Sequence, residues 1–495
     1  MPGMPRSRIA LVAMAFVATF AQAQNTLPPA VLQALDAAGL PHDALAVAAV
    51  PLAHAAPPWG HQMRRPMQPG STMKLLTSIV ALDQLGPNHR GFTELATNAP
   101  LDAGTLRGDL VLRGGADAEL GVAQLWALLV DLRAAGVRHI EGGLVVDRTR
   151  YRPARPDLGL PPFDSAPEFP YNVVPDALHL AGSLLPLQLR ATDNGVLAAT
   201  VPAIEGLAVD ARGMALVDAR CNDWDDHWQG AQVQADASGL RVVLGGAFPR
   251  SCTVRTELQL VDRQALTERL FRTLWQGLGG SWAGRASEGA APPGTRVLAR
   301  RLARPWGELL RPLNKSSDNA WTRLLFLELG VPAMAAEPTR TTAELADAAV
   351  RRWLRAAGID DSGLVTDNGS GLSRSERLSP WQLASALAVA AQGRHIADLT
   401  MSLPTVGVDG TMRNRLKDSP AAGWARLKTG TLRNVVALAG YMRDAQGWPW
   451  AVAMMINDEQ RASRGRPALD ALVDHIARHG LAAPALPPGP QGEGP

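Results

Sequence analysis

Cysteine and lysine are scarce in this chain of 495 residues. The two cysteines, Cys221 and Cys252, lie in the middle of the sequence and away from every motif that contains lysine, which argues against thiol catalysis. The basic residues other than lysine are arginines, and arginine cannot lose its proton in a protein. A reaction that needs a basic amine must therefore use one of the four lysines. These are Lys74, Lys315, Lys417 and Lys428.

Several signatures of other functions are also missing. The ten histidines form no H-E-x-x-H stretch and no tight ligand spacing, so we predict no metal site. No G-x-S-x-G pentapeptide occurs, which argues against an α/β-hydrolase, and no phosphate-binding loop indicates a nucleotide cofactor. A net charge of only +3 gives no support to a nucleic-acid partner. We therefore predict a protein without cofactor and without nucleic acid.

The first residues have the pattern of a secretory signal. Arg6 and Arg8 precede an apolar run from Ile9 to Phe20, and Ala21-Gln-Ala23 fits a small-x-small cleavage site. We predict that residues 1–23 are removed, that the protein is exported to the bacterial periplasm, and that it has no transmembrane anchor. In an oxidising compartment we expect Cys221 and Cys252 to form a disulfide, with two buried thiols as the alternative.

The pattern of apolar residues divides the chain into a body and an insertion. A buried strand near residues 44–52 and a helix from Ser71 to Leu85 begin the chain, and helices and two strands return after residue 290. Between them, short strand-like pieces separated by glycine prevail. We predict an α/β (α+β) protein. The predicted body is residues 24–90 and 290–483, the predicted mostly β insertion is 91–289, and the tail 484–495 is expected to be disordered.

Three short motifs follow one another in a fixed order. Ser71-Thr-Met-Lys74 opens a predicted helix, Ser317-Asp-Asn319 precedes another, and Lys428-Thr-Gly430 leads into a strand. A spacing of three residues on a helix places the Ser71 hydroxyl beside the Lys74 amine. A desolvated lysine close to a second ammonium loses its proton readily and can activate a serine. Together the motifs are the serine acyl-transfer signature of penicillin-binding proteins and serine β-lactamases.

At these residues the sequence resembles the class C low-molecular-mass penicillin-binding proteins, the D-alanyl-D-alanine carboxypeptidase/endopeptidase family, over residues 40–480. The long insertion between the first and second motifs is also a family trait, and in β-lactamases that gap is short. The stretches that carry the resemblance are Pro69-Gly-Ser-Thr-Met-Lys74, Gly108-Asp-Leu-Val-Leu-Arg-Gly-Gly115, Asn314-Lys-Ser-Ser-Asp-Asn319, Asp367-Asn-Gly-Ser-Gly-Leu-Ser-Arg374, Leu403-Pro404 with Gly410-Thr-Met412, and Leu427-Lys-Thr-Gly-Thr431.

The resemblance implies a penicillin-binding/serine β-lactamase-like domain, which is an antiparallel sheet flanked by helices, and a role for each motif. It implies that Ser71 is the nucleophile and Lys74 its general base, and that the backbone N–H groups of Ser71 and Thr431 form the oxyanion hole. It further implies that Ser317 relays a proton to the leaving amine and that Asn319 holds the peptide amide of the substrate. The residues that it implies for binding the terminal carboxylate region of the substrate are Lys428, Thr429, Gly430 and Thr431.

The predicted function is that of a serine DD-peptidase acting on peptidoglycan stem peptides, with β-lactam antibiotics as covalent inhibitors. A serine β-lactamase or esterase and a catalytically silent wall-binding protein are the alternatives. Trimming of D-Ala-D-Ala ends and cleavage of D-Ala cross-links stay open, as do a monomer and a homodimer. Lys315 either lines the site or caps a loop.

Overall fold

The computed structural model describes residues 26–53, 56–236 and 239–481. The predicted signal peptide and the predicted tail lie outside the described residues. The helices are α1 Pro29–Ala38, α2 Met73–Gln84, α3 Val122–Ala134, α4 Arg263–Gly277, α5 Trp306–Ser316, α6 Asn319–Gly330, α7 Thr342–Ala356, α8 Pro380–Ala391, α9 Ile396–Ser402 and α10 Arg466–His479. The strands are β1 Leu45–Pro51, β2 Trp59–His61, β3 Phe92–Thr97, β4 Leu101–Asp102, β5 Thr105–Leu106, β6 Leu110–Gly115, β7 His139–Ile140, β8 Leu144–Asp147, β9 Leu185–Thr192, β10 Gly195–Thr200, β11 Leu207–Asp210, β12 Ala215–Val217, β13 Trp228–Asp236, β14 Gly239–Pro249, β15 Thr253–Leu258, β16 Ser281–Trp282, β17 Ala286–Glu288, β18 Arg296–Leu302, β19 Arg426–Leu432, β20 Val435–Arg443 and β21 Pro449–Asn457.

The first and last parts of the chain share one antiparallel sheet in the order β19-β20-β21-β1-β2. Helix α8 packs on one face of this sheet, with α2 behind it, while α10 packs on the other face together with α1. The predicted antiparallel sheet flanked by helices is thus present. It closes only because strands from both ends of the sequence pair with each other.

Strand β1 shows why a continuous apolar run was required here. Its side chains alternate between two buried clusters: Ala46 and Ala48 face the cluster of α2 and α8, and Leu45, Val47 and Ala49 face that of α1 and α10. Side chains of a strand point alternately to its two faces, so a strand covered by helices on both sides must be apolar throughout. The small alanines let α8 approach the sheet closely.

The inserted part forms four further small sheets with a hydrophobic core of its own. Two helices, α3 and α4, pack against each other and against these sheets. Helix α4 was not predicted, although Asp262 caps its start by accepting from the N–H groups of Gln264 and Ala265. Strand β18 pairs with β3, so residues 296–302 share a sheet with the first strand of the insertion. The division into two folding units stays a prediction.

Glu328 on α6 fastens the insertion to the body. This carboxylate is fully buried and accepts hydrogen bonds from Arg150 (2.7 and 2.6 Å), Tyr151 (2.9 Å) and His89 (2.8 Å). Removing the Glu328 carboxylate would leave the side chains that donate to it without their acceptor, which is costly. Two segments that are far apart in sequence, at His89 and at Arg150-Tyr151, are therefore held against one helix.

Cys221 and Cys252 form a disulfide, with their Cα atoms 5.3 Å apart. The bond closes a loop in the insertion, and such a cross-link stabilises a protein chiefly by restricting the unfolded chain. We expect the double variant Cys221→Ser with Cys252→Ser to lower the free energy of unfolding by about 2–4 kcal/mol, measured by urea unfolding. Wild-type protein unfolded after reduction should reproduce the variant's curve. Two alkylatable thiols in unreduced, denatured protein would contradict the assignment.

Candidate active site

Ser71 and Lys74 meet at the start of α2. Ser71 lies in a single 3-10 turn, Gly70–Thr72, which continues directly into the α-helix. One turn separates the two side chains, and the Lys74 Nζ donates to the Ser71 Oγ over 3.0 Å. Lys74 is fully buried, whereas Ser71 is partly exposed. A buried amine therefore touches a hydroxyl that a substrate can reach.

Two further acceptors hold the Lys74 amine. Its Nζ donates to the Asn319 Oδ1 over 2.6 Å and to the backbone carbonyl of Ser370. A neutral amine has two N–H bonds and one lone pair. If the two N–H bonds are directed to Asn319 and Ser370, the lone pair is left facing the Ser71 hydroxyl. This is the arrangement that proton abstraction from Ser71 requires.

The second motif lies in the sharp turn between α5 and α6. Ser317 ends α5 with a left-handed backbone (φ 66°), and Asn319 is the first residue of α6. The side chain of Asp318 caps α6 by accepting from the N–H of Trp321 over 2.8 Å. Because the chain reverses here, Ser317 and Asn319 face the two lysines of the other motifs.

The third motif is on β19, an edge strand of the main sheet. The buried Lys428 Nζ donates to the Ser317 Oγ over 2.8 Å and to the carbonyl of Thr429 over 2.9 Å. Gly430 lies where the strand passes the turn of Ser71: a Cβ there would be 2.6 Å from the carbonyl oxygen of Pro69 and 3.2 Å from the Ser71 nitrogen. Only glycine permits this approach. The strand next presents Thr431, which is exposed.

Lys74 and Lys428 differ from ordinary surface lysines in their pKa as well as in their burial. Burial lowers the pKa of Lys74 well below its usual value, and the nearby charge of Lys428 lowers it further. Burial also lowers the pKa of Lys428, to about 7. An amine that is neutral near physiological pH can act as a base, so the electrostatics of the site fit the geometry.

The insertion reaches into this site through a short segment near Tyr171. The Asn319 Nδ2 donates to the Tyr171 carbonyl over 2.9 Å. The rings of Tyr171, Phe169, Trp224 and Trp228 follow one another, with centroids 6.4, 6.2 and 6.0 Å apart, and Trp224 comes three residues after the bridged Cys221. A row of aromatic side chains thus leads from the segment that contacts Asn319 to the loop that follows Cys221.

Comparison with known proteins decides the family of the chain. The family model described as D-Ala-D-Ala carboxypeptidase 3 (S13) matches residues 30–476. The chain belongs to this family. A D-alanyl-D-alanine carboxypeptidase from an Actinomadura species is 30% identical over 396 residues, which cover 77% of this chain and 71% of the relative. The D-alanyl-D-alanine carboxypeptidase DacB of Haemophilus influenzae is 28% identical over 401 residues, covering 79% and 80%.

A solved crystal structure has the same fold as this chain. The crystal structure of penicillin binding protein 4 from Haemophilus influenzae superimposes with a TM-score of 0.73 at 24% identity, covering 89% of this chain and 97% of the other. The predicted resemblance and the predicted fold class are confirmed. Membership in the S13 family also confirms that the chain is a serine-type hydrolase with DD-peptidase activity on peptidoglycan.

In this S13 carboxypeptidase the three motifs lie against one another: Lys74 contacts Ser71 and Asn319, Lys428 contacts Ser317, and Gly430 passes the turn of Ser71. That placement does not test the individual roles. Lys315, whose role the sequence left open, forms an ion pair with Asp409. Asp409 also accepts from the N–H of Thr405 over 2.8 Å, and Thr411 beyond it contacts the hydroxyl of Thr429 over 2.8 Å. Lys315 therefore holds the loop that supports β19. Lys417 is exposed.

Sequence reasoning missed the groups that surround Lys74 on the side away from Ser71. The carbonyl of Ser370 and the carboxylate of Glu376 come from the segment 367–376, Asp318 caps α6, and Arg323 lies on that helix. The stretch Asp367 to Arg374 had been recognised as part of the family pattern, but a backbone carbonyl leaves no signature in a sequence.

Within the described residues, no cluster of three or more metal-ligating side chains occurs. No helix in this part of the chain is long and apolar enough to cross a membrane.

Proposed function

We propose that the chain hydrolyses the terminal D-Ala-D-Ala bond of peptidoglycan stem peptides through an acyl-enzyme on Ser71. The observation that carries this proposal is the contact of the buried Lys74 amine with the Ser71 hydroxyl, together with the two acceptors that orient the amine. Lys74 takes the hydroxyl proton while the Ser71 oxygen attacks the carbonyl of the penultimate D-Ala. Family membership and the three motifs support the same reaction.

The developing negative charge is placed where backbone N–H groups converge. Ser71 stands at the first turn of α2, and β19 passes it at Gly430, so the N–H groups of Ser71 and Thr431 supply the oxyanion hole. The positive end of the helix adds to this field. In this tetrahedral intermediate the former carbonyl carbon is bonded to the Ser71 oxygen and to the oxyanion, until its bond to the nitrogen of the last D-Ala breaks.

Departure of the last D-Ala needs a proton on its amine. The hydroxyl of Ser317, which Lys428 holds by a hydrogen bond, relays to this nitrogen the proton that Lys74 took from Ser71. Lys74 is then neutral again, and Lys428 keeps its charge. Lys428, with the hydroxyls of Thr429 and Thr431, binds the carboxylate of the leaving residue, and Asn319 holds the peptide amide. A water molecule, activated by Lys74, then releases the shortened peptide from Ser71.

The pH dependence should reveal the carboxylate-binding role of Lys428. Its pKa is lowered to about 7 by burial, so in the free enzyme the ammonium loses its proton above about pH 7. We expect kcat/KM for a peptide with a free C-terminal carboxylate to fall above that pH, while deprotonation of Lys74 causes the rise on the acidic side. Initial rates between pH 4 and 10 measure both limbs.

The matched control is the same peptide with a C-terminal amide. It carries no charge for Lys428 to bind, so the alkaline limb should flatten, while the acidic limb of Lys74 should stay. If both peptides lose activity in parallel above pH 7, the alkaline limb does not report the binding of the carboxylate by Lys428.

The location and the breadth of the reaction are also part of the proposal. We propose that the chain is exported by the predicted signal peptide and acts outside the cytoplasm, where a mature N-terminus at Gln24 would be found by sequencing the exported protein.

Purified protein incubated with a D-Ala-D-Ala pentapeptide should release one D-Ala. Intact sacculi, digested afterwards and analysed for cross-linked muropeptides, decide whether D-Ala cross-links are cleaved as well. No release of D-Ala from the pentapeptide would contradict the proposed function.

A further inference from the structure

A buried carboxylate lies behind the catalytic pair. Glu376 is fully buried, and its Oε1 accepts from the backbone N–H groups of Asp367 (3.3 Å), Asn368 (3.1 Å) and Gly369 (2.8 Å). Its Oε2 is buried and finds no hydrogen-bond partner in the described part of the chain. Burying a carboxylate is expensive, and the one oxygen that is satisfied binds only backbone of a single loop. We call residues 367–376 the support loop.

The support loop lies directly against the catalytic turn. The Ser370 carbonyl accepts from Lys74, and the Thr77 hydroxyl of α2 donates to the Gly369 carbonyl over 2.7 Å. Gly371 is so close that a Cβ there would lie 1.9 Å from the carbonyl oxygen of Gly70 and 2.7 Å from the Ser71 nitrogen. A small shift of this loop therefore moves an acceptor of the base and presses on the nucleophile turn.

We propose that Glu376 is a positioning residue for the general base. As a buried anion it gathers three N–H groups of the support loop, which sets the Ser370 carbonyl beneath the Lys74 amine, and its charge opposes that of Lys428 at the same amine. The inference rests on the proposed roles of Ser71 and Lys74. Glu376 touches neither the substrate nor the reacting atoms in this scheme and acts only through Lys74.

The charges around Lys74 set the sign of the expected effect. Lys428 on β19 and Arg323 on α6 lower the pKa of Lys74, while Glu376 and Asp318 raise it. Burial raises the pKa of Glu376, the backbone N–H groups of the support loop lower it, and the charge of Asp367 raises it again. The ionised form of Glu376 is the one that raises the pKa of Lys74. Loss of the Glu376 charge should therefore lower the pKa of Lys74 further. The acidic limb of acylation should move to lower pH.

The experiment measures the second-order rate of Ser71 acylation by a labelled penicillin between pH 4 and 9. In Glu376→Gln the amide oxygen still accepts from the loop but carries no charge. We expect its acidic limb to move about one pH unit lower, with the plateau retained within about threefold. In Glu376→Ala the loop loses its anchor, and we expect the plateau to fall about 100-fold, as a displaced catalytic group costs.

Glu328→Gln is the matched control, because Glu328 is an equally buried carboxylate that contacts the insertion and not the support loop. It should lower the melting temperature and leave the acidic limb unchanged. A Glu376→Gln profile that superimposes on wild type, that moves to higher pH, or that changes only as Glu328→Gln does, would overturn the proposal, and this decision holds even if Glu376→Ala fails to fold. Failure of the proposed function is distinguishable, because wild-type protein would then not be labelled at Ser71 at all.

Discussion

Ser71→Ala should abolish both the covalent attachment of penicillin and the release of D-Ala. The wild-type protein should bind one equivalent of labelled penicillin, and the label should lie on the peptide that contains Ser71. The physical reason is that the Ser71 oxygen is the atom that forms the new ester bond, so no neighbouring group in the site can replace it. The ring amine of an opened penicillin stays attached and cannot diffuse away, which keeps deacylation slow. Mass spectrometry of the intact protein and of its peptides measures both results.

Ser317→Ala is the informative companion to this variant. It removes a hydroxyl of the same cleft that we place in proton relay and not in bond formation. Acylation should be slowed but still detectable, and the label should remain on Ser71. A label found on Ser317 or on any other residue would exclude the mechanism proposed for this chain.

Lys74→Arg should nearly abolish acylation, with a loss of about 1,000-fold or more, within the range that general-base catalysis contributes. Arginine keeps the positive charge but cannot give up its proton, so the general base is lost. The measurement is the rate of penicillin acylation under single-turnover conditions. Circular dichroism checks that the variant is folded.

Lys428→Arg is the contrasting variant. Its proposed work is electrostatic, and a guanidinium retains the charge, so we expect a milder loss of about ten- to a hundredfold. Its alkaline limb should disappear, because arginine stays protonated across the range measured. If Lys74→Arg keeps near-native acylation while Lys428→Arg is inactive, the assignments of base and anion-binding residue are reversed.

Much of the catalytic cleft could be predicted because its residues are local in sequence. Ser71 and Lys74 are one helical turn apart, so their contact follows from the geometry of a helix. The helices that begin at Asn319, Thr342 and Pro380 carry strong capping and periodicity signals, which is why helices could be predicted after residue 290. The two strands after residue 430 were equally clear.

Other elements escaped prediction because their signals are weak or non-local. Helix α5 contains Pro312, which interrupts its pattern, and helix α1 has only ten residues. Strand β18 follows a stretch rich in glycine and proline that resembles a linker, yet it pairs with β3 about two hundred residues earlier. Strand pairing over such a distance depends on which edge is free, and no local pattern records that.

The identity of the reactive groups follows from the chain alone, since a scarce residue type and three ordered motifs are properties of covalent structure. Their reactivity does not follow from the sequence alone. Lys74 becomes a base because folding removes it from water, brings Lys428 from the far end of the chain near it, and supplies the Asn319 oxygen and the Ser370 carbonyl as acceptors. Burial and long-range charge arise only when distant segments pack together, so the proton affinity of this amine is decided by the tertiary structure.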